Sequence, residues 1–270
     1  MKTILLLCLL SLAWPLQAAE TLKLGVFPYL SAAQLIKQHK PLADYLSQQL
    51  DMNVTISSAT DFPGFLRRTR EGRYDVVLTA PHMGALAIRR DGYQPLAVAR
   101  NKLHAVIASN RNSDWTELRQ LKNARIILPP KKAIISLLAL DTLNDEGLNS
   151  DQLDIRYTQS HNNALQSVIM RRSDAAAFSS PTYQRYLDQG GNELRVLATS
   201  GDIPSNFLVA NSDLDSGLTK RLRQALLEFD QTSTGRQYFK RTRQLGFRPI
   251  VDNDLERLRP FVKRIFGFAY

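Results

Sequence analysis

Apolar positions along this chain keep switching between two spacings, every second residue and every third or fourth, and each switch marks an element boundary. Thr21–Pro28 (TLKLGVFP) alternates as a strand does, and Ala32–Leu50 then carries its apolar residues at helical spacing. Asn53–Ser57 predicts a second strand, and the stretch around Phe62–Glu71 a helix. Tyr74–Leu78 (YDVVL) is short, β-branched and apolar, as a buried parallel strand should be. His82–Asp91 predicts a small helix and Gln94–Arg100 another strand. This βαβαβ order predicts a parallel sheet covered by helices on both faces.

The rhythm restarts after Lys102. Strands are expected at Leu103–Ser109 (LHAVIAS), Ala124–Leu128, Leu153–Tyr157, Ala175–Phe178, Leu194–Thr199 and Asn206–Ala210. Helices are expected at Ala133–Asp145, Asn162–Arg171 and Tyr183–Leu187, followed by three amphipathic helices at Ser216–Phe229, Arg236–Leu245 and Asp254–Ile265. Tyr74-Asp75-Val76-Val77 in the first half is echoed by Ser173-Asp174-Ala175-Ala176 in the second, each Asp preceding a short apolar strand after a helix. Two similar α/β lobes follow from that echo.

The N-terminus changes the picture from a fold to an address. Lys2 gives a short positive region, Ile4–Leu12 an apolar run too short to span a bilayer, and Ala18 and Ala19 small residues suited to cleavage. Residues 1–19 therefore read as a secretory signal peptide, with cleavage near Ala18–Glu20. Cys8, the one cysteine of 270 residues, leaves with it, so the mature chain has no disulfide, thiolate ligand or thiol nucleophile. An exported chain without disulfides suits a bacterial periplasm. No later stretch approaches the roughly twenty apolar residues of a membrane span. The formal charge of +10 falls only by the single unit of Lys2, and excess positive charge favours anionic ligands. The Lys and Arg residues are scattered, and nucleic acid is not an expected partner of an exported protein.

An ordered set of short segments then carries a resemblance. Gly25-Val26-Phe27-Pro28-Tyr29, Pro41-Leu42-Ala43-Asp44-Tyr45-Leu46 and Gly72-Arg73-Tyr74-Asp75-Val76-Val77 come first. Ser160-His161-Asn162-Asn163-Ala164, Asp174-Ala175-Ala176-Ala177, Ile203-Pro204-Ser205-Asn206, Gly235-Arg236 and Leu245-Gly246-Phe247 follow. The chain resembles the phosphate/phosphite/phosphonate family of periplasmic solute-binding proteins of ABC transporters over nearly its whole mature length. The resemblance implies a type II periplasmic binding protein fold, two α/β lobes joined by two crossing strands, with ligand in the cleft. It implies crossings near His104–Ser109 and Ser205–Ala210, a discontinuous first lobe of residues 20–103 and 206–270, and a second lobe of residues 104–205.

The family's phosphonate-binding members carry a Ser-Thr-Ser-Gly run that opens a helix and holds the oxyanion on hydroxyls and backbone N–H groups. Aligned back from Gly147, the corresponding positions here are Lys132, Ala133, Ile134 and Ile135, after Pro129-Pro130-Lys131. The hydroxyls are gone, but a helix start remains, with Lys131 and Lys132 either adding charge to it or standing in solvent. This departure preserves an anionic ligand and argues against phosphonate as the specific one.

Other candidates stand at strand ends, where open α/β sheets bind ligands. Tyr29 follows the first strand; the resemblance implies that it lines the cleft, the alternative being that it packs beneath it. Asp61 and Phe62 follow the second; Asp61 either reaches the cleft or caps the next helix. Thr79 and His82 follow the third, His82 being a donor to an oxyanion or a cap. His161 stands in the matching Ser-His motif at a helix start, and Ser179 and Ser180 either offer hydroxyls to the cleft or form a turn. His39 lies in the first amphipathic helix and is expected to be exposed. The four histidines have no metal-ligand spacing, and no Gly-x-Ser-x-Gly, His-Glu-x-x-His or dinucleotide-binding motif occurs, so neither a metal, a cofactor nor an enzyme is expected. The chain is expected to act as a monomeric receptor that closes around a small anionic ligand and passes it to an ABC permease. A periplasmic sensor partnering a membrane kinase is the alternative, and an enzyme on the same lobes a more distant one.

Overall fold

A computed structural model describes residues 21–270; the leader expected over residues 1–19 lies outside the described residues. The first lobe opens with β1 (Thr21–Val26), α1 (Ala32–Leu50), β2 (Asn53–Ser57), α2 (Phe62–Arg70), β3 (Val76–Thr79), α3 (Pro81–Arg90) and β4 (Tyr93–Ala99). A two-residue strand, β5 (Lys102–Leu103), leads to the second lobe, which starts with β6 (Ala105–Asn110), β7 (Arg125–Leu128), α4 (Ile134–Asp145) and β8 (Asp154–Tyr157). It continues with α5 (His161–Ile169), β9 (Ala175–Ser179), α6 (Ser180–Asp188) and β10 (Leu194–Thr199). The chain returns through β11 (Ile203–Pro204) to β12 (Phe207–Asn211), α7 (Ser216–Glu228), α8 (Ser233–Thr242), β13 (Phe247–Arg248) and α9 (Asp252–Phe266).

The two sheets have the orders β13-β4-β12-β3-β1-β2 and β10-β6-β9-β7-β8, and β5 pairs with β11 in a separate antiparallel ladder. The sequence pattern of the first half predicts a wholly parallel sheet. Instead β12 lies between β3 and β4, antiparallel to both. The wedge is possible because β12 is apolar on both faces, as a central strand must be. Its Phe207 and Val209 enter the core that runs under α3 and α9, while Leu208 and Ala210 enter the core under α1, α7 and α8.

The run Leu103–Ser109, which reads as one strand, is broken at His104. Leu103 pairs with Ile203 in the small ladder, whereas Ala105 pairs with Ser179 in the second sheet.

The echo around Asp75 and Asp174 is a shared structural device. Asp75 accepts a hydrogen bond from the Lys23 backbone N–H on Oδ2 (2.6 Å) and returns its own N–H to the Lys23 carbonyl (3.0 Å). Asp174 does the same with Arg125, at 2.7 and 3.0 Å. Each aspartate fixes the register of the strand that follows it against its parallel neighbour, β3 on β1 and β9 on β7. The preceding helices also correspond: Asp61 caps α2 and Ser160 caps α5, each accepting from the backbone N–H three residues on. Gly25 is needed near the C-terminal end of β1 because the Tyr74 ring lies directly over its Cα, and an added Cβ would fall 2.5 Å from that ring.

Candidate functional site

A cavity of about 860 Å³ opens between the two sheets, where several helices begin. Helix starts carry unpaired N–H groups and partial positive charge. Here α1, α2 and α5 satisfy theirs with side chains, Ser31, Asp61 and Ser160. The remaining three, α3, α4 and α6, start at Ala80, Ala133 and Ser179 with no side-chain cap, and all three of these residues line the cavity. The side chains add charge of the same sign. Lys37, Arg185, Arg241 and Arg243 line the cavity, and among the described residues no Asp or Glu does. An anion entering this space meets a uniformly positive wall.

The cations differ in how they are engaged. Arg243 bridges to Asp188 across the mouth at 2.5 Å, joining the end of α8 in the first lobe to α6 in the second. Arg241 donates to the Gln38 carbonyl at 3.4 Å. The Arg185 side chain, exposed on α6, makes no hydrogen bond or ion pair among the described residues, yet its charge acts on both Tyr29 and His161.

Five of the nine sequence candidates line the cavity: Tyr29, Phe62, His82, His161 and Ser179. His82 is 1% exposed and stacks on Phe266 with centroids 5.7 Å apart, and neither of its ring nitrogens has a hydrogen-bond partner. Burial pushes its pKa down to about 4; the Lys132 backbone opposes the shift without reaching hydrogen-bonding geometry. His161 is half-buried as a residue, but its Nδ1 is covered and unpartnered. Its pKa also falls to about 4, through burial first and the Arg185 charge second. Buried polar atoms without partners are costly, so two such imidazoles on one cavity are groups waiting for a ligand atom. Ser179 Oγ lies 2.9 Å from Thr182 Oγ1, and both residues line the cavity.

Tyr29 is anchored from behind. Its hydroxyl accepts from Gln38 Nε2 (2.5 Å) and meets His39 Nε2 (2.8 Å), and His39 Nδ1 meets the Tyr238 hydroxyl (2.9 Å). Burial raises the Tyr29 pKa against the opposing Arg185 charge. His39, expected to be exposed, is 2% exposed, because this relay needs an imidazole between two phenols. Burial, then the Arg241 charge, lowers its pKa to about 4.

Asp61, Thr79, Lys131 and Lys132 do not line the cavity. Asp61 is exposed and caps α2, accepting from the Gly64 N–H at 2.7 Å. Asp61→Ala is therefore expected to cost about 1 kcal/mol of stability in urea unfolding and to leave ligand affinity unchanged. Thr79 is 1% exposed within β3, its hydroxyl unpartnered. Lys131 and Lys132 are exposed in the turn before α4, and the side chains that reach the cavity from that turn are Ala133, Ile134 and Ile135. Sequence reasoning missed Arg185, Arg241 and Arg243, which look in the sequence like any of the scattered surface arginines.

Among the described residues, no group of three or more His, Cys, Asp or Glu side chains is placed to hold a metal ion. None of the described helices is long and apolar enough to cross a membrane.

Solved structures share this architecture. The chain superposes on PhnD1 of Prochlorococcus marinus in complex with methylphosphonate at a TM-score of 0.83, with 18% identity over 92% of this chain and 99% of that one. A binding component of a phosphonate ABC transporter from Pseudomonas aeruginosa gives 0.80, at 17% identity over 92% and 88%. A Xanthomonas citri protein bound to ATP gives 0.74, at 20% identity over 93% and 100%. At these identities the likeness shows the fold, that of periplasmic binding proteins. The family model described as "ABC transporter, phosphonate, periplasmic substrate-binding protein" matches residues 24–255. That family is one of transporter binding proteins rather than of enzymes, and its members serve an ABC permease from the periplasm. With most of its length covered, the chain belongs to the periplasmic substrate-binding proteins of phosphonate ABC transporters.

Proposed function

We propose that the mature protein, freed of residues 1–19 and acting as a periplasmic monomer, captures a small organic or inorganic oxyanion in this cavity for its permease. The observation that carries the reading is the one-signed lining: four cations, three helix starts without side-chain caps and no carboxylate. In this reading Arg185 and Arg241 neutralise the ligand, and His82, His161 and Ser179 hydrogen-bond it. Tyr29 and Phe62 form its apolar wall.

Dividing the lobes at 103/104 and 205/206 puts the β5·β11 ladder at the hinge. Ligand bridging the lobes would stabilise the closed form, because only that form engages both walls at once. The Arg243–Asp188 bridge would assist closure at the mouth.

Methylphosphonate is the ligand in the Prochlorococcus structure. Phosphonates therefore belong in the first panel to be tried, although the α4 start of this chain offers apolar side chains where hydroxyls would hold such a head group. The test is a thermal-shift screen of phosphate, phosphite, phosphonates, sulfonates, carboxylates and neutral sugars. A ligand at 100 times its dissociation constant should add about 2.7 kcal/mol of stability. Shifts confined to oxyanions are expected; a shift with neutral sugars alone would overturn the proposal.

A further inference from the structure

The shape and lining of the cavity say more about the cargo than its charge. Resting on the anion-receptor reading above, we infer that the ligand is an anion carrying a flat aromatic body, larger than a one-carbon oxyanion. A volume of about 860 Å³ lies in the range of about 300–1,000 Å³ typical of pockets that enclose drug-sized molecules. A one-carbon oxyanion would leave most of it to water.

The apolar part of the lining is organised rather than scattered. Phe27 lies between Tyr29 and Phe62 in a ladder of nearly parallel rings, 4.5 Å from the first at 25° and 6.2 Å from the second at 20°. All three rings line the cavity, and Phe62 ends the ladder half-buried. A half-exposed ring face of this kind favours an offset-stacked partner. Across the equivalent helix starts of the two lobes, Phe62 and His161 hold matching positions, one an apolar face and the other a polar donor or acceptor.

The charged and aromatic features adjoin each other. Arg185 acts on Tyr29 at the far end of the ladder and on His161. A ligand with its ring against Phe62, the open end of the ladder, can therefore direct its charge towards Arg185. On the α4 side, Ile134 and Ile135 are 3% and 2% exposed and border the same space, supplying apolar surface where a compact oxyanion would need hydroxyls.

The experiment holds the head group constant and varies the body. Titration calorimetry compares methylphosphonate, phenylphosphonate and benzylphosphonate, with neutral benzyl alcohol as control, on the wild type, Phe62→Ala and Phe62→Leu. The aryl phosphonates are expected to bind roughly 30-fold or more tighter than methylphosphonate. Both Phe62 variants should shrink that ratio severalfold, weakening the aryl phosphonates more than methylphosphonate; Leu keeps apolar bulk without a stacking face, so folding is protected. Methylphosphonate binding as tightly as the aryl compounds would overturn this inference and leave the anion reading standing. An aryl preference undiminished in both variants would also overturn it. Benzyl alcohol binding while every anion fails would overturn the anion reading and this inference together.

Discussion

Acidification from pH 7 to pH 5 is expected to remove several kcal/mol of stability from the ligand-free protein, and three histidines carry the loss. His39, His82 and His161 are each pushed from 6.5 to about 4, in every case chiefly by burial. Above pH 6.5 each is neutral whether the chain is folded or not, and none affects stability. Between 6.5 and 4 the unfolded chain takes up protons that the folded chain refuses, so stability falls as pH falls. Below pH 4 both states are protonated and the loss is complete. For one such histidine the linkage integral gives about 2 kcal/mol at pH 5 and about 3 kcal/mol in full. Against a typical total of about 5–15 kcal/mol, three of them make the protein acid-sensitive.

Urea unfolding at pH 7, 6 and 5 measures the slope. His82→Leu isolates one contribution, since neither His82 nitrogen has a protein partner to lose. Its curve should be flatter by about 2 kcal/mol between pH 7 and pH 5. Parallel curves for the two proteins would show that His82 protonates freely in the folded state. Bound oxyanion should reverse part of the effect, because an anion beside His82 and His161 favours their charged forms.

What was legible in the sequence followed local periodicity. Helix α1 and strands β2 and β10 fall at the residues their patterns indicate, because amphipathic spacing and strand alternation are written into consecutive residues. The aspartate echo was visible for the same reason, although its meaning, a side chain and a backbone N–H holding one strand register in each lobe, required the neighbouring strand. Long-range facts were not legible. Nothing local marks His104 as the break between the crossing ladder and β6, since one polar residue beside an apolar run is ordinary within a strand. The insertion of β12 between β3 and β4 depends on a segment more than a hundred residues away.

The candidate site divides along similar lines. Tyr29, Phe62, His82, His161 and Ser179 line the cavity because positions after strand ends border the cleft in this class of fold. Asp61 and the lysine pair sit at strand ends too, but a carboxylate serves as a cap there and long ammonium side chains turn to water. His39 was misjudged because a polar residue on an amphipathic helix ordinarily faces solvent, and its partner Tyr238 lies on α8. The arginines were missed because α6 and α8 converge on the cavity only in three dimensions.

Arg185→Glu is expected to weaken binding of the best oxyanion by at least about 100-fold while leaving the fold intact. A charge-assisted hydrogen bond contributes about 1.5–3 kcal/mol, or roughly 10–150-fold in affinity, and the new carboxylate adds repulsion to that loss. The fold should tolerate the change because the Arg185 side chain is exposed and makes no hydrogen bond or ion pair among the described residues. Arg185→Lys keeps the charge but not the planar fork, so an intermediate affinity is expected. Calorimetry at two salt concentrations adds a second readout: the penalty of the Glu variant should shrink at high salt if its origin is electrostatic. A third comes from His161, whose pKa the Arg185 charge lowers. Removing that charge should move the His161 titration upward in NMR even without ligand. Unchanged affinity together with an unmoved His161 would place the Arg185 guanidinium in solvent and shift the burden of anion capture to Arg241, Lys37 and the helix starts.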